Sequence, residues 1–259
     1  MNNVNNISKT QRVAMLHAFN AEPSFRALGD ELDKAPSAAV VANGLLSFVK
    51  GVSKRTRRDV QNAYLYATMI ADQKHGGHGE GEKWYIAFCQ VMTMAGWVVQ
   101  HNSFRAFNAT ERHFSMDKIA LEILKGTVIT AAMGASGAVG VMQSAREALD
   151  AIKTDKEAVH LFDRSAMKDR GANFGIGSVV EEDDNVCMAL GLVQYKGKAS
   201  STTVLFSTWD SADLEIYQAN TVFWMDDEAV EDSRDAIREL IKEIRTRKLK
   251  EFSLIPARG

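Results

Sequence analysis

Between Lys125 and Arg146 the chain carries no charge. The segment from Gly126 to Ala145 reads GTVITAAMGASGAVGVMQSA, and its length is close to the ~20 residues that a helix needs to cross a bilayer. Its content is wrong for that role, because Ala, Gly, Ser and Thr stand where a spanning helix carries Leu and Phe, so transfer to lipid is marginal. Gly126, Gly134, Gly137 and Gly140 each cost up to about 1 kcal/mol relative to Ala inside a helix. One long buried helix is therefore poor unless neighbours pack closely on bare backbone. A helical hairpin broken near Gly134-Ala135-Ser136-Gly137 resolves the conflict. A region that is buried in the soluble form and enters lipid on a trigger is compatible with that same hairpin. Gly137 and Gly140 are too close in sequence to form the G-x-x-x-G dimer motif.

The flanks of the segment are ordinary amphipathic helix. Before it, Ile119, Ile123 and Leu124 face inward against Asp117, Glu122 and Lys125, with Ser115 as N-cap; after it, Ala145, Leu149 and Ile152 oppose Arg146, Glu147 and Asp150. The apolar residues between them define the candidate contact surface for a membrane or an apolar ligand: Val128, Ile129, Met133, Ala138, Val139, Val141 and Met142.

Upstream, Lys9 to Ala21 and Ser24 to Lys34 read as two short amphipathic helices. Pro36 suits the first turn of a helix, and SAAVVANGLLSFVKGV, uncharged to Lys50, reads as a buried core helix too short to span a bilayer. Ser53 is the N-cap expected for the next helix, which an apolar face from Val60 to Ala71 carries to about Lys74. Its first turn holds Lys54, Arg55, Arg57 and Arg58, where the helix dipole prefers acids. That placement points to an anionic partner. His75, His78, Glu80 and Glu82 lie in the loop HGGHGEGE and are metal-capable, but no matching His or Cys pair at ligand spacing accompanies them, so no metal or other cofactor is expected. Glu82 to Ala95 is a helix closed at Gly96, and WVVQHNSFRAF alternates as a strand with neither face purely apolar, which suits an edge.

Downstream of Lys153 the chain is polar to Arg170, with His160 to Phe162 expected as a short strand. The period then changes to two. NFGIGSVV, NVCMALGLVQY, STTVLFSTW and LEIYQANTVFWM read as four strands joined by short turns, an antiparallel meander. The acids Glu181 to Asp184 form a solvated hairpin tip. Both faces of the Cys187 strand are apolar, so helices cover it twice, the N-terminal ones on one side. Gly175, Gly177 and Gly191 leave bare patches on the sheet, which serve either close helix packing or a slot for a long apolar ligand; Cys187 beside such a slot is a candidate for acylation. Asp226 and Asp227 open a last helix from Glu228 to Lys250 with Val230, Ile237, Ile241 and Ile244 inward.

The fold expected is α+β in a single domain over residues 1–259. A helical layer with a central apolar hairpin, about 9–153, packs on a four- to five-stranded antiparallel sheet and a closing C-terminal helix, about 171–255. Hydrophobic residues at 46% and charged residues at 25% exclude wholesale disorder and a polytopic membrane protein. A formal charge of −2 excludes a general polyanion binder, so no nucleic acid is expected. MNNVNNISKTQR lacks the apolar stretch of a secretory signal, and Cys89 and Cys187 sit in apolar surroundings without forming a disulfide framework. Cytoplasmic synthesis follows as the expectation, with any export by a non-classical route. Oligomeric state is left unassigned by the sequence.

No P-loop, dinucleotide glycine motif, H-E-x-x-H, nucleophile elbow or Cys-x-x-Cys is present. The leading expectation is a non-enzymatic protein that engages a membrane, a lipid or an apolar ligand through the Gly126 to Ala145 hairpin, an architecture that suits a bacterial toxin or virulence factor as well as a lipid carrier. The alternatives are a hydrolase using His75, His78 or His101 with Ser103 or Ser136, and a protein-interaction scaffold in which the hairpin is only core.

Overall fold

The computed structural model describes residues 7–19, 32–35, 38–77, 79–131, 134–168, 171–197 and 203–253. Within them the chain is α+β: a mostly antiparallel sheet between two helical layers, closed by a C-terminal helix. Helix α1 (Lys9–Ala18) opens on a reciprocal Ser8–Gln11 capping box. Strands β1 (Leu32–Ala35), β2 (Ala38–Val41) and β3 (Gly44–Phe48) follow, then α2 (Lys54–His75), α3 (Gly81–Met94), β4 (Trp97–Phe107) and β5 (His113–Ser115). The central hairpin is α4 (Met116–Thr130) and α5 (Ala135–Thr154). Beyond it come α6 (Lys156–Ala166), β6 (Met167–Lys168), β7 (Gly171–Glu182), β8 (Asn185–Gly197), β9 (Thr208–Asp210), β10 (Leu214–Met225) and α7 (Asp227–Ser253).

The sheet runs β1-β2-β3-β7-β8-β10-β4, with β6 paired onto β7, while β5 and β9 form a separate ribbon. Strand β3 is parallel to β7, and the other pairs are antiparallel. Strand β4 lies at the edge, as its mixed faces imply. At the β7–β8 turn Asp183 and Asp184 both take positive φ, +49° and +62°, the geometry of a two-residue hairpin turn. The acidic run is indeed a hairpin tip.

Two apolar cores sandwich the sheet. On one face Val179, Met188, Leu190, Leu192 and Phe223 pack under α1, α2, α3 and α7; on the other Phe174, Ile176, Cys187, Ala189, Val193 and Val222 pack under α4, α5 and α6. Gly175, Gly177 and Gly191 are points of close contact in the sheet. A Cβ on Gly175 would lie 2.6 Å from the Tyr64 hydroxyl, one on Gly177 2.9 Å from Leu46 Cδ2, and one on Gly191 3.0 Å from Ile123 Cγ2 and 3.1 Å from the Leu124 amide. Gly175 and Gly191 bring helix and strand together, whereas Gly177 meets Leu46 of the neighbouring strand β3.

Four expectations are corrected. Residues 38–48 form the β2–β3 hairpin, not a helix. Both strands are buried on both faces, so no polar alternation marks them, and a fully buried strand then reads like a core helix. The signal that separates them is Asn43, a turn former between apolar runs; the two-residue turn is Ala42-Asn43, with Ala42 at φ +49° and Val41 paired to Gly44. The Asn43 side chain is buried and its Nδ2 donates to the Asn173 carbonyl at 3.0 Å, tying the hairpin to β7. Second, the helix expected from Ser24 to Lys34 lies partly outside the described residues, and its C-terminal end belongs to strand β1. Third, His160 to Phe162 is helical, within α6, where Asp155 caps the Glu157 and Ala158 amides at 3.0 and 3.1 Å. Three residues are too few to reveal that helix's period. Fourth, the described part of STTVLFSTW, residues 203–207, is a compact turn, and only Thr208–Asp210 is extended. Asp163 Oδ1 accepts the Val204 amide at 2.8 Å, and Val204 O accepts the Trp209 indole at 3.3 Å. The sheet is wider than four to five strands because the N-terminal hairpin adds to it.

Candidate functional site

Helix α4 begins beside the Tyr195–Trp209 ring pair, where the Asp117 amide donates to Leu205 O at 3.1 Å. It crosses the sheet at Gly191 and Asn220, which are partners in the β8–β10 register. Asn220 Nδ2 donates to Ile123 O at 2.8 Å and to Thr127 Oγ1 at 2.9 Å, and the Thr127 hydroxyl donates to Ile123 O at 3.0 Å. This buried polar knot fixes the helix on the strand. The chain turns after Thr130, and α5 returns with Gly140 against Val49, just past the end of β3. The hairpin tip therefore lies at the sheet end that holds the β7–β8 turn and the start of α2.

Along this hairpin the candidate contact residues divide. Val128 and Val141 are buried, Ala138 and Met142 are half-buried against the core, and Met133 lies outside the described residues. Ile129 is 74% exposed and Val139 66% exposed. They flank the tip within about one turn of it on either helix. Gly134, Ala135 and Ser136 beside them are exposed and uncharged. Among the described residues, no helix is long and apolar enough to cross a membrane.

The basic cluster divides as well. Arg57 Nε donates to Val52 O at 3.2 Å, and its guanidinium lies 5.2 Å from the centre of the Phe48 ring, so it serves the packing of the helix start. Lys54, Arg55 and Arg58 line an open cavity of about 380 Å³ together with Asp59, Glu231, Arg234 and Arg238. Arg234 forks onto Asp59, Nε to Oδ1 at 2.8 Å and the terminal nitrogen to Oδ2 at 2.9 Å. Glu231 pairs with both Arg55 and Arg234. The bond to Asp59 first, and Glu231 after it, hold Arg234 above its ordinary pKa, and Arg234 and Arg55 keep the Glu231 carboxyl below its own. Arg234 and Arg238 were not legible as site residues, since their convergence on Lys54 is purely spatial.

Cys187 is buried under α4 and α5, and burial pushes its thiol up to about 12. Cys89 is buried on the opposite face and is likewise pushed up to about 12. Neither is a thiolate near neutral pH. Of the hydrolase candidates, His75 lines a cavity of about 240 Å³ with Trp84, Gln194 and Tyr195, its Nδ1 3.7 Å from Glu80 Oε1. Ser136 is exposed at the hairpin tip, near the other end of β8, on the order of 25 Å away along the strand. Ser103 sits on the edge strand β4, and His78 and the His101 side chain lie outside the described residues. Among those residues no group of three metal-capable side chains comes together.

No family model and no curated protein matches the chain. Among solved structures it is similar to a delta-endotoxin, at 10% identity over 72% of this chain and 84% of that one, with a TM-score of 0.35. It is also similar to the activated Cyt2Ba monomer from Bacillus thuringiensis subsp. israelensis, at 11% identity over 70% and 97% of the two chains, with a TM-score of 0.34. These likenesses are weak.

Proposed function

We propose that this chain is a non-enzymatic protein that engages a membrane or lipid surface through the tip of the α4–α5 hairpin. The observation that carries the reading is the presence of Ile129 and Val139, the two most exposed large hydrophobic side chains among the described residues, on one uncharged tip. Exposed apolar residues scattered singly need no explanation, whereas two on one helical hairpin tip with no charge between Lys125 and Arg146 form a contact surface.

Magnitudes decide which part of the hairpin acts. Lifting the whole hairpin off the sheet in water would expose Met116, Ile119, Ile123, Leu124, Val128, Val141, Leu149 and Ile152, all buried. At about 1.5–3 kcal/mol each, that loss is on the order of the whole stability of a domain. The tip is already exposed and gains about 2–4 kcal/mol if both side chains enter an apolar phase. Contact therefore starts at the tip, and any deeper insertion requires lipid to replace the sheet. Such a gain alone gives weak, reversible binding, so a second attraction is needed for stable attachment. Glu181, Glu182, Asp183 and Asp184 at the same end repel an anionic surface, so the apolar tip and not this turn makes the contact.

The test is vesicle flotation of the wild type and an Ile129→Ser/Val139→Ser variant, whose changes lie outside the core. Binding by the wild type, reduced at least about fivefold in the variant, supports the reading. No binding between about pH 4 and 7.5, or equal binding by both proteins, sinks it. Dye leakage from the same vesicles distinguishes a membrane-damaging, toxin-like action from attachment alone.

A further inference from the structure

The cavity between the start of α2 and the first half of α7 has an unusual charge pattern. Lys54 and Arg58 are four residues apart on α2, and Arg234 and Arg238 are four apart on α7, so each helix turns two cations toward the same space, joined by Arg55. Like charges at this spacing are unfavourable on an isolated helix, and those on α2 also sit at the positive end of its dipole. Two carboxylates line the cavity against five cations. Asp59 is committed to Arg234, and Glu231 is shared by Arg55 and Arg234. Among the described residues Lys54 and Arg58 have no acidic partner, and Arg238 has only Asp235 at 3.9 Å. On strand β7, Glu181 accepts the Ser53 amide at 2.8 Å.

We infer that this groove binds a phosphate group, with Lys54, Arg58 and Arg238 as its ligands and Arg234, held by Asp59, as a fixed guanidinium beside them. Guanidinium forks and an ammonium supply the several donors that a phosphate with three or more free acceptor oxygens requires. The volume, about 380 Å³, is roughly ten times the share of one water molecule in the liquid. It accommodates a phosphate together with the group it esterifies. The groove lies on the α2–α7 face of the sheet, opposite the hairpin face but at the same sheet end, and the inference stands whether or not the tip binds lipid.

The ligand chemistry has two sources, free phosphate and the headgroup of a phospholipid, which two arms of one experiment separate. Titration calorimetry of the full chain with inorganic phosphate at low ionic strength is run beside sedimentation with phosphatidylcholine vesicles, with and without phosphatidic acid. Arg58→Gln and Arg238→Gln are compared with Lys242→Gln, which removes the same charge from α7 outside the groove; thermal melts verify that each variant folds. Saturable binding that falls at least about tenfold in the two groove variants and not in Lys242→Gln is the expected result. Seen with phosphate in solution it assigns a free phosphate ligand; confined to phosphatidic acid vesicles it assigns a headgroup. Absence of binding in both arms, or an equal loss in Lys242→Gln, overturns the inference. Ile129→Ser leaves phosphate titration unchanged, which separates failure of the groove from failure of the tip.

Discussion

Two glycine-to-alanine substitutions at the α4–sheet contact are expected to change stability in opposite directions. At Gly191 on β8 the added Cβ would lie 3.0 Å from Ile123 Cγ2 and 3.1 Å from the Leu124 amide nitrogen. The side chain can rotate but the helix backbone cannot move without lifting α4, so overpacking costs about 1–3 kcal/mol. The gain of about 0.5–1 kcal/mol from replacing a strand glycine offsets only part of this. Gly191→Ala therefore destabilises by about 1–2 kcal/mol, and Gly191→Val by more. At Gly126, inside α4, the new Cβ meets only Asn220 Nδ2 at 3.6 Å, an ordinary contact, so the helix gains up to about 1 kcal/mol of propensity. Urea unfolding gives the two signs, and a 1 kcal/mol change moves the melting temperature of a chain this long by about 2–4 °C. Amide exchange locates the effect: Gly191→Ala should accelerate residues 116–130 selectively. If both variants shift stability in the same direction, or if exchange rises evenly across the sheet, the close approach of α4 to β8 is not what holds the hairpin.

Thr127→Val removes the hydroxyl that bridges Ile123 O and Asn220 Nδ2 at nearly constant volume; a loss of about 1–2 kcal/mol in urea unfolding is expected, with no change in backbone circular dichroism. Arg234→Met strands Asp59, whose side chain is 6% exposed, and should cost about 3–5 kcal/mol, most of it recovered in the Asp59→Leu/Arg234→Met double variant; a double-mutant cycle reads the coupling. Burial pushes both thiols from the ordinary cysteine range near 9 up to about 12. At pH 8 their thiolate fraction is then about a thousandfold below that of a free thiol, and labelling in native buffer should be slower by at least that factor than in denaturant. The sign of the stability change follows from the same shift: the unfolded chain releases these protons from about pH 9 while the folded chain keeps them, so stability falls as the pH climbs from about 9 toward 12.

Much of this fold is legible where one face of an element meets solvent. Helices α2, α3 and α7 show their period because each keeps a polar side, and Ser53 and Gly96 mark their ends. The hairpin is legible from Gly134, since a glycine-rich break between two amphipathic flanks admits few other structures. Strands β2 and β3 are hidden by the very feature that stabilises them, burial on both faces, which removes the alternation at Ala38–Val41 and Gly44–Phe48. Helix α6 does carry its period, with Ala158, Phe162, Ser165 and Ala166 inward behind the Asp155 cap; it is missed only when His160 to Phe162 is read in isolation from its flanks. The site follows the same logic. The uncharged tip is a local property of sequence, but its division into buried Val128 and Val141 and exposed Ile129 and Val139 depends on how α4 and α5 rest on the sheet. The phosphate groove joins residues nearly two hundred positions apart, and only the packing of α2 on α7 reveals that Arg57 turns away while Arg234 and Arg238 turn in.

The tip can be addressed directly, because both native cysteines are buried and leave an introduced thiol as the reactive one. Ile129→Cys carrying an environment-sensitive fluorophore should shift to the blue and become accessible to lipid-borne quenchers when vesicles are added. The same label at Lys242→Cys should keep its aqueous spectrum. An unchanged spectrum at Ile129→Cys under conditions where the protein floats with vesicles would contradict attachment through the hairpin tip.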